Sequence, residues 1–246
     1  MPVPPRPWTV LFSTDALPAT PDRNRRIRSY VLRQGRITPA QELAIRRHWH
    51  RYGIDYQPQT LNLLQVFDRP APKILEIGTG TGENIVVLAD LHRDNDYLAL
   101  EVHKPGVGKL IRQAVALNLS NIRIICHDAV EVLTHQIDDK TLEQILIFFP
   151  DPWPKLRHHK RRLLQTEFVT LLCRKLQNHG RLFLATDWHD LAEHMLVTCD
   201  AATGLINLAG RGHYSPRPKW RPLTKFEQRG RQLQHQVWDL AYAVKR

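Results

Sequence analysis

Phe149-Pro150-Asp151-Pro152-Trp153-Pro154-Lys155 is followed at once by Arg157-His158-His159-Lys160-Arg161-Arg162. The apolar run 143–149 reads as a strand, so Asp151 is expected at the sheet edge where α/β proteins bind small ligands. Three prolines leave that carboxylate little conformational entropy to lose, which is the preorganisation a reacting centre needs. The same prolines could equally stiffen a surface turn with Trp153 packed down on it. The cations behind the turn invite a polyanion. Lys160, Arg161 and Arg162 would oppose the dipole of a helix beginning there, which suggests another use for them. His158 and His159 have no carboxylate or cysteine at ligand spacing, so a zinc site is not expected. A small-molecule pocket beside a nucleic-acid surface is the arrangement that an enzyme modifying RNA or DNA requires.

A second cluster surrounds Glu76-Ile77-Gly78-Thr79-Gly80-Thr81-Gly82. Gly78, Gly80 and Gly82 allow a tight turn and close backbone approach to a ligand. Glu83 stands where the dinucleotide fingerprint has glycine, and its charge disfavours a pyrophosphate at the helix start. A phosphate-free cofactor such as S-adenosylmethionine fits better, with Glu76 as partner for its amino-acid end. Glu101, 19 residues after Gly82, sits where an acid accepts from ribose hydroxyls. Asp128 can accept from an adenine amino group or cap the following helix. Glu76, Glu101, Asp128 and Asp151 together give one acidic rim along four strand ends. Thr186-Asp187-Trp188 adds another acid and an aromatic. The stretch 221–230 mixes donors, acceptors and a ring, suited to gripping a flipped base; Thr224 and Glu227 also form a capping box for a helix start.

The elements that must position these groups follow from periodicity. Strands are expected at 73–77, 97–102, 122–126, 143–149 and 181–185. Helices are expected at 39–51, 84–91, 108–119, 129–134, 161–176 and 190–198. Thr38-Pro39-Ala40-Gln41 reads as a capping box, with Gly53 and Gly180 as helix stops. Repeated β-α units imply a mainly parallel sheet covered on both faces, with every strand's carboxyl end on one edge. Residues 1–36, rich in Pro and Arg, read as a basic arm that orders on RNA or as a solvated tail, and 37–246 as one domain.

The 246 residues are 42% hydrophobic, enough for a sizeable core, and carry a net charge of +11 that favours a phosphate-rich partner. Cys126, Cys173 and Cys199 are scattered and form no CxxC pair, so they read as core thiols of a reducing cytoplasm. No apolar stretch is long enough for a membrane span, and no secretory h-region is visible.

Taken together, 75–82, 101–110, 149–163, 185–187 and 221–230 resemble the bacterial tRNA (guanine-N7)-methyltransferase family, of the type acting at position 46 in the variable loop. The resemblance covers roughly residues 30–242 in the family's order. It implies a Rossmann-like class I methyltransferase with a mostly parallel seven-stranded sheet, a basic N-terminal extension and S-adenosylmethionine as cofactor. By the same resemblance, Glu76, Gly78, Gly80, Gly82, Glu101, Asp128 and Asp151 bind the cofactor, and Asp151 is also catalytic. Lys155, Asp187, Thr224, Lys225, Phe226 and Glu227 bind substrate, and Arg157, His158, His159, Lys160, Arg161 and Arg162 contact RNA. The expected partner is tRNA, in the cytoplasm, with neither membrane nor metal; a monomer and a homodimer both fit. Thr79, Thr81 and Leu156 depart from the family pattern, Leu156 at the cost of one cation. Three rivals follow from the same residues: methylation of another base atom or of rRNA, a non-catalytic RNA-binding protein, and a nicotinamide-dependent oxidoreductase, the last disfavoured by Glu83.

Overall fold

The computed structural model describes residues 27–31, 35–232 and 235–245, except the side chains of Lys225, Phe226 and Arg231. Most of the expected basic arm (1–26 and 32–34) therefore lies outside the described residues. The elements run α1 (Pro39–Tyr52), β1 (Gly53–Ile54), α2 (Leu63–Phe67), β2 (Lys73–Ile77), α3 (Glu83–Leu91), β3 (Asp96–Leu100), α4 (Lys104–Ala116), β4 (Ile122–Ile125), α5 (Ala129–His135) and β5 (Leu142–Phe148). A 3₁₀ turn (Leu156–Arg161) follows, then α6 (Thr166–Lys175), β6 (Leu176–Thr186), α7 (His189–Ala201), β7 (Leu205–Asn207), α8 (Lys225–Gln232) and β8 (Trp238–Val244).

The strands form one sheet in the order β1-β4-β3-β2-β5-β6-β8-β7. All pairings from β1 to β6 are parallel, and β8 runs antiparallel to both β6 and β7. Among the described residues eight strands replace the expected seven: β1 is a two-residue strand against Ile124 and Ile125, too short to leave a period in the sequence. Every residue of β2 and β3 is buried, as parallel strands covered on both faces must be. One apolar layer joins the sheet to α5, α6 and α7, and the other joins it to α1, α3 and α4. Strand order reverses between β2 and β5, so the loops after these two strands flank the crevice where open α/β sheets bind ligands.

Local chemistry explains most boundaries. Thr38 Oγ1 accepts from the Gln41 N–H at 3.3 Å, and Gln41 Oε1 accepts from the Thr38 N–H at 2.8 Å. Gly53 does end α1, but with extended backbone rather than a left-handed cap; a Cβ there would lie 2.0 Å from the Trp49 ring. The expected helix 161–176 is corrected to the 3₁₀ turn and a shorter α6. Arg162 is turned inward onto the Pro152 carbonyl and Asp190, and the Gln165 amide donates to the carbonyls of His159 and Arg162, which holds the link non-helical. The chain passes directly from Lys175 into β6, so Gly180 is not a helix stop; it lies in the irregular start of that strand. Among the described residues, no helix is long and apolar enough to cross a membrane.

Candidate functional site

The carboxyl ends of β2, β3, β4 and β5 surround a cavity of about 430 Å³. Its walls are Ile77, Gly78 and Gly80 after β2; Leu100 to His103 after β3; His127 and Ala129 after β4; and Phe149, Pro150 and Asp151 after β5. Leu163 and the N-terminal stretch Ser29-Tyr30-Val31 complete it.

Gly78, Gly80 and Gly82 have φ of +77°, +55° and +79°, the left-handed region that glycine enters without penalty. A Cβ on Gly78 or Gly80 would meet nothing within 4 Å, so the backbone here faces open space. Gly82 differs: its Cβ would lie 2.6 Å from Leu110, so it serves the contact between α3 and α4 rather than the cavity.

Glu101 is buried and ties the glycine loop to β3. Its carboxylate accepts from the Gly80 N–H at 2.5 Å, the Val102 N–H at 2.8 Å and the His103 N–H at 2.9 Å. A carboxylate has about four acceptor directions, which leaves room for a ligand hydroxyl without breaking this network. Burial pushes its proton affinity up against the pull of those backbone bonds.

Glu76 lies one residue behind the cavity wall, buried, and accepts from Asn84 Nδ2 at 2.8 Å. Asn84 Oδ1, beside it, and Thr79 Oγ1 in the glycine loop are buried without hydrogen-bond partners. Burial moves the Glu76 carboxyl from 4.5 to about 8. The folded chain then holds a proton that the unfolded chain releases above pH 4.5, so stability present at low pH declines as pH climbs towards 8. Glu76→Gln is expected to flatten that decline, read as Tm against pH between about 5 and 8. An unchanged slope would assign the decline elsewhere.

Asp128 is the N-cap of α5, accepting from the N–H groups of Val130 (2.8 Å) and Glu131 (3.3 Å). It is buried, and its neighbours rather than itself line the cavity. His127 stacks on Tyr56 with ring centroids 3.7 Å apart and makes a close contact with Glu131.

Asp151 is exposed on the cavity wall. The turn bearing it is fixed from both sides: Phe149 and Trp153 hold φ of +52° and +49°, unfavourable for bulky side chains. The Phe149 N–H donates to the Ala185 carbonyl at 2.8 Å.

The cations divide into two groups. Lys155, Arg157 and Lys160 are exposed. The other four residues of the expected RNA segment engage the protein itself. His158 packs edge-on to Trp153; Arg161 lies 4.0 Å over the Trp153 ring and donates to the carbonyls of Arg28 and Tyr30. His159 lies 3.0 Å from the Arg162 guanidinium, and Arg162 is buried against Asp190, whose proton affinity it lowers. The helix that does form starts at Thr166 with Glu167 in its first turn, so the anticipated clash of cations with the dipole does not arise.

Trp153 Nε1 donates to the Ser29 carbonyl at 3.0 Å, holding 27–31 across the cavity mouth. No local pattern in 27–31 announces this seat. Trp153→Ala removes that bond and the platform for Arg161, together worth about 1–2 kcal/mol. Backbone hydrogen exchange at 28–31 is expected to quicken by about tenfold, and unchanged exchange would show that the segment is held elsewhere.

Asp187 follows β6, next to β5, with His235 at 3.9 Å. Thr224 Oγ1 accepts from the Glu227 N–H at 3.2 Å and caps α8. Glu227 is buried against Arg217 and Arg221, so it faces the interior rather than a substrate. The side chains of Lys225 and Phe226 lie outside the described residues. Gly106, which periodicity does not single out, also shapes the site: a Cβ there would lie 2.3 Å from the Gly80 carbonyl oxygen. The Gly-Val-Gly spacing at 106–108, at a helix start, was the available signal.

Comparison with known proteins places this arrangement. A family model described as "Putative methyltransferase" matches residues 70–240. The tRNA (guanine-N(7)-)-methyltransferase of Nitrosospira multiformis is 52% identical over 222 residues, 90% of this chain and 96% of that protein. The protein of the same description from Alcanivorax borkumensis is 48% identical over 228 residues, 93% of this chain and 95% of its own. Among solved structures, the 16S rRNA methyltransferase KamB aligns with a TM-score of 0.55 at 14% identity, covering 75% of this chain and 93% of that one; this likeness concerns the fold.

Proposed function

The chain belongs to the tRNA (guanine-N7)-methyltransferase family, and from that premise we propose that it methylates N7 of guanine 46 in the variable loop of tRNA, in the cytoplasm. The observation that carries the reading is the convergence of Asp151, Glu101 and the open glycine loop on one cavity, with exposed Lys155, Arg157 and Lys160 beside it.

The residues present fit S-adenosylmethionine. A cavity of about 430 Å³ is within the range of cofactor sites. Gly78 and Gly80 leave backbone room, Glu101 keeps an acceptor direction for a ribose hydroxyl, and buried Glu76 lies beside the unpartnered Asn84 oxygen. Glu83 in the first turn of α3 argues against a pyrophosphate there. When bound, S-adenosylmethionine supplies a methyl group on a cationic sulfur. Glu101 would hold the hydroxyl-bearing end, and Glu76 would face the cationic end from behind the wall, giving up its proton to that charge; Asp128, by capping α5, fixes the loop after β4.

Guanine N7 carries a lone pair and no proton, so this chain needs no general base. S-adenosylmethionine held in this cavity would supply its methyl group to N7 and leave as the neutral thioether, so the purine would take up the positive charge. Asp151 holds the guanine and offers negative charge where that positive charge develops. Asp187 and the Thr224 loop hold the base from the adjoining strand ends, and Lys155, Arg157 and Lys160 hold the backbone. In folded tRNA the N7 edge is engaged, so the base is presented exposed or flipped.

The test is incubation with methyl-labelled cofactor and unmodified tRNA, followed by digestion and mapping. Label in 7-methylguanosine at position 46 is expected. Label in another nucleoside, at another position or in rRNA alone would overturn the reading.

A further inference from the structure

A buried cluster of charge lies at the root of the site. Arg221 is 2% exposed. Its Nη1 donates to Glu227 Oε2 at 2.7 Å, and its Nη2 to Glu227 Oε1 at 3.3 Å and to Asp239 Oδ2 at 3.1 Å. Arg217 adds a bond to Glu227 Oε1 at 2.9 Å and one to the Arg221 carbonyl at 2.8 Å, closing the segment 217–227 into a loop. Two cations balance two acids. The Arg221 guanidinium also lies over the rings of Phe148 and Phe149, 5.4 and 5.7 Å from their centroids.

Each of these partners roots one functional segment. Phe149 stands two residues before Asp151, on the strained turn. Asp239 pairs across the sheet with Ala185, two residues before Asp187. Glu227 and Thr224 form the cap of α8, at the tip of the loop that Arg217 closes. Trp220 packs edge-on to Phe183 at 4.9 Å and reaches Phe148, tying the same loop to β5 and β6 a second time. One planar guanidinium therefore touches the bases of the segments that carry Asp151, Asp187 and Thr224.

A buried ion cluster is weak evidence for stability and is better attested as a device that fixes one arrangement among several. Resting on the function proposed above, we infer that Arg221 is a positioning residue: it holds the Asp151 turn, the Asp187 strand end and the Thr224 loop in one frame, so that a base and the methyl donor meet in line. Glu227 and Asp239 are its anchors, which gives Glu227 a part in the site without contact to substrate.

Arg221→Lys keeps the charge and loses the fork and the stacking plane. In this variant kcat is expected to fall on the order of 10²-fold, the cost of a misplacement of about 1 Å. The KM for tRNA and the calorimetric affinity for S-adenosylmethionine should stay within about threefold, and Tm within a few degrees. A second variant, Arg221→Met with Asp239→Asn, removes one cation and one acid together and leaves the Arg217–Glu227 pair in place. It is expected to fold, bind cofactor and show the same loss in kcat. Wild-type kcat in either folded variant overturns the inference. So does loss of cofactor affinity in step with Tm, or a failure of both variants to fold, since each marks a role in the core alone. Failure of the functional reading would show separately, as wild-type protein that yields no 7-methylguanosine.

Discussion

Asp151→Ala is expected to abolish most turnover and leave tRNA binding nearly intact. The expected loss in kcat is on the order of 10²–10³-fold, the cost of removing one group aimed at developing charge. The fold should survive, because the turn is held by Pro150 and Pro152, by the Phe149 N–H bond to Ala185 and by Trp153 seated on Ser29, none of which uses the Asp151 side chain. Single-turnover methylation beside filter retention of tRNA separates binding from chemistry. Asp151→Asn sharpens the test. It keeps the shape and an acceptor but not the charge, so a rate between alanine and wild type assigns the difference to electrostatics. If both variants lost tRNA binding as fully as they lost rate, Asp151 would be a folding residue.

The second large effect is expected at Gly106→Ala. In a helix, alanine for glycine ordinarily stabilises by about 1 kcal/mol, so propensity predicts a gain. The contact predicts the reverse. The new Cβ would lie 2.3 Å from the Gly80 carbonyl oxygen and 3.0 Å from its carbon, and backbone cannot swing aside as a side chain can. Overpacking of this kind costs about 1–3 kcal/mol, and the atoms displaced belong to the loop that Glu101 fastens. Affinity for S-adenosylmethionine should therefore weaken about 10- to 100-fold, with a fall of a few degrees in Tm. Gly212→Ala is the control: its φ of +80° imposes backbone strain, and its Cβ meets nothing within 4 Å. Equal cofactor affinity in Gly106→Ala and wild type would show that the glycine loop does not contact the cofactor.

The parts of the fold that were legible in the chain are those where local pattern and burial coincide. The runs 74–77 and 97–100 carry no polar alternation, Glu76 being the one acid within them, because β2 and β3 are covered on both faces. An acid after a buried strand has no packing reason to be there, and Glu101 after β3 and Asp151 after β5 do line the cavity. Strand β1 escaped because two residues carry no period. The helix expected from 161 failed for a different reason: Leu163 and Leu164 fit a helical face, but Arg162 bonds to Pro152 and Asp190, and the Gln165 amide turns back onto the carbonyls of His159 and Arg162. Charged residues were the least legible. Arg162 finds Asp190, 28 residues away, and Arg221 finds Asp239, 18 residues away. Sequence announces the charge but not its partner, so a buried counter-ion such as Glu227 and an exposed cation such as Lys160 look alike until the chain is folded. Asp128 left two readings open, and the structure adds the helix cap.

The most direct measurement of the central claim is a crystal structure of the chain with S-adenosylhomocysteine. The account predicts density in the cavity between Gly78, Gly80 and Asp151, with Glu101 bonded to the ribose. Density anywhere else, or a ligand within the cavity that leaves Glu101 and Asp151 untouched, would contradict it.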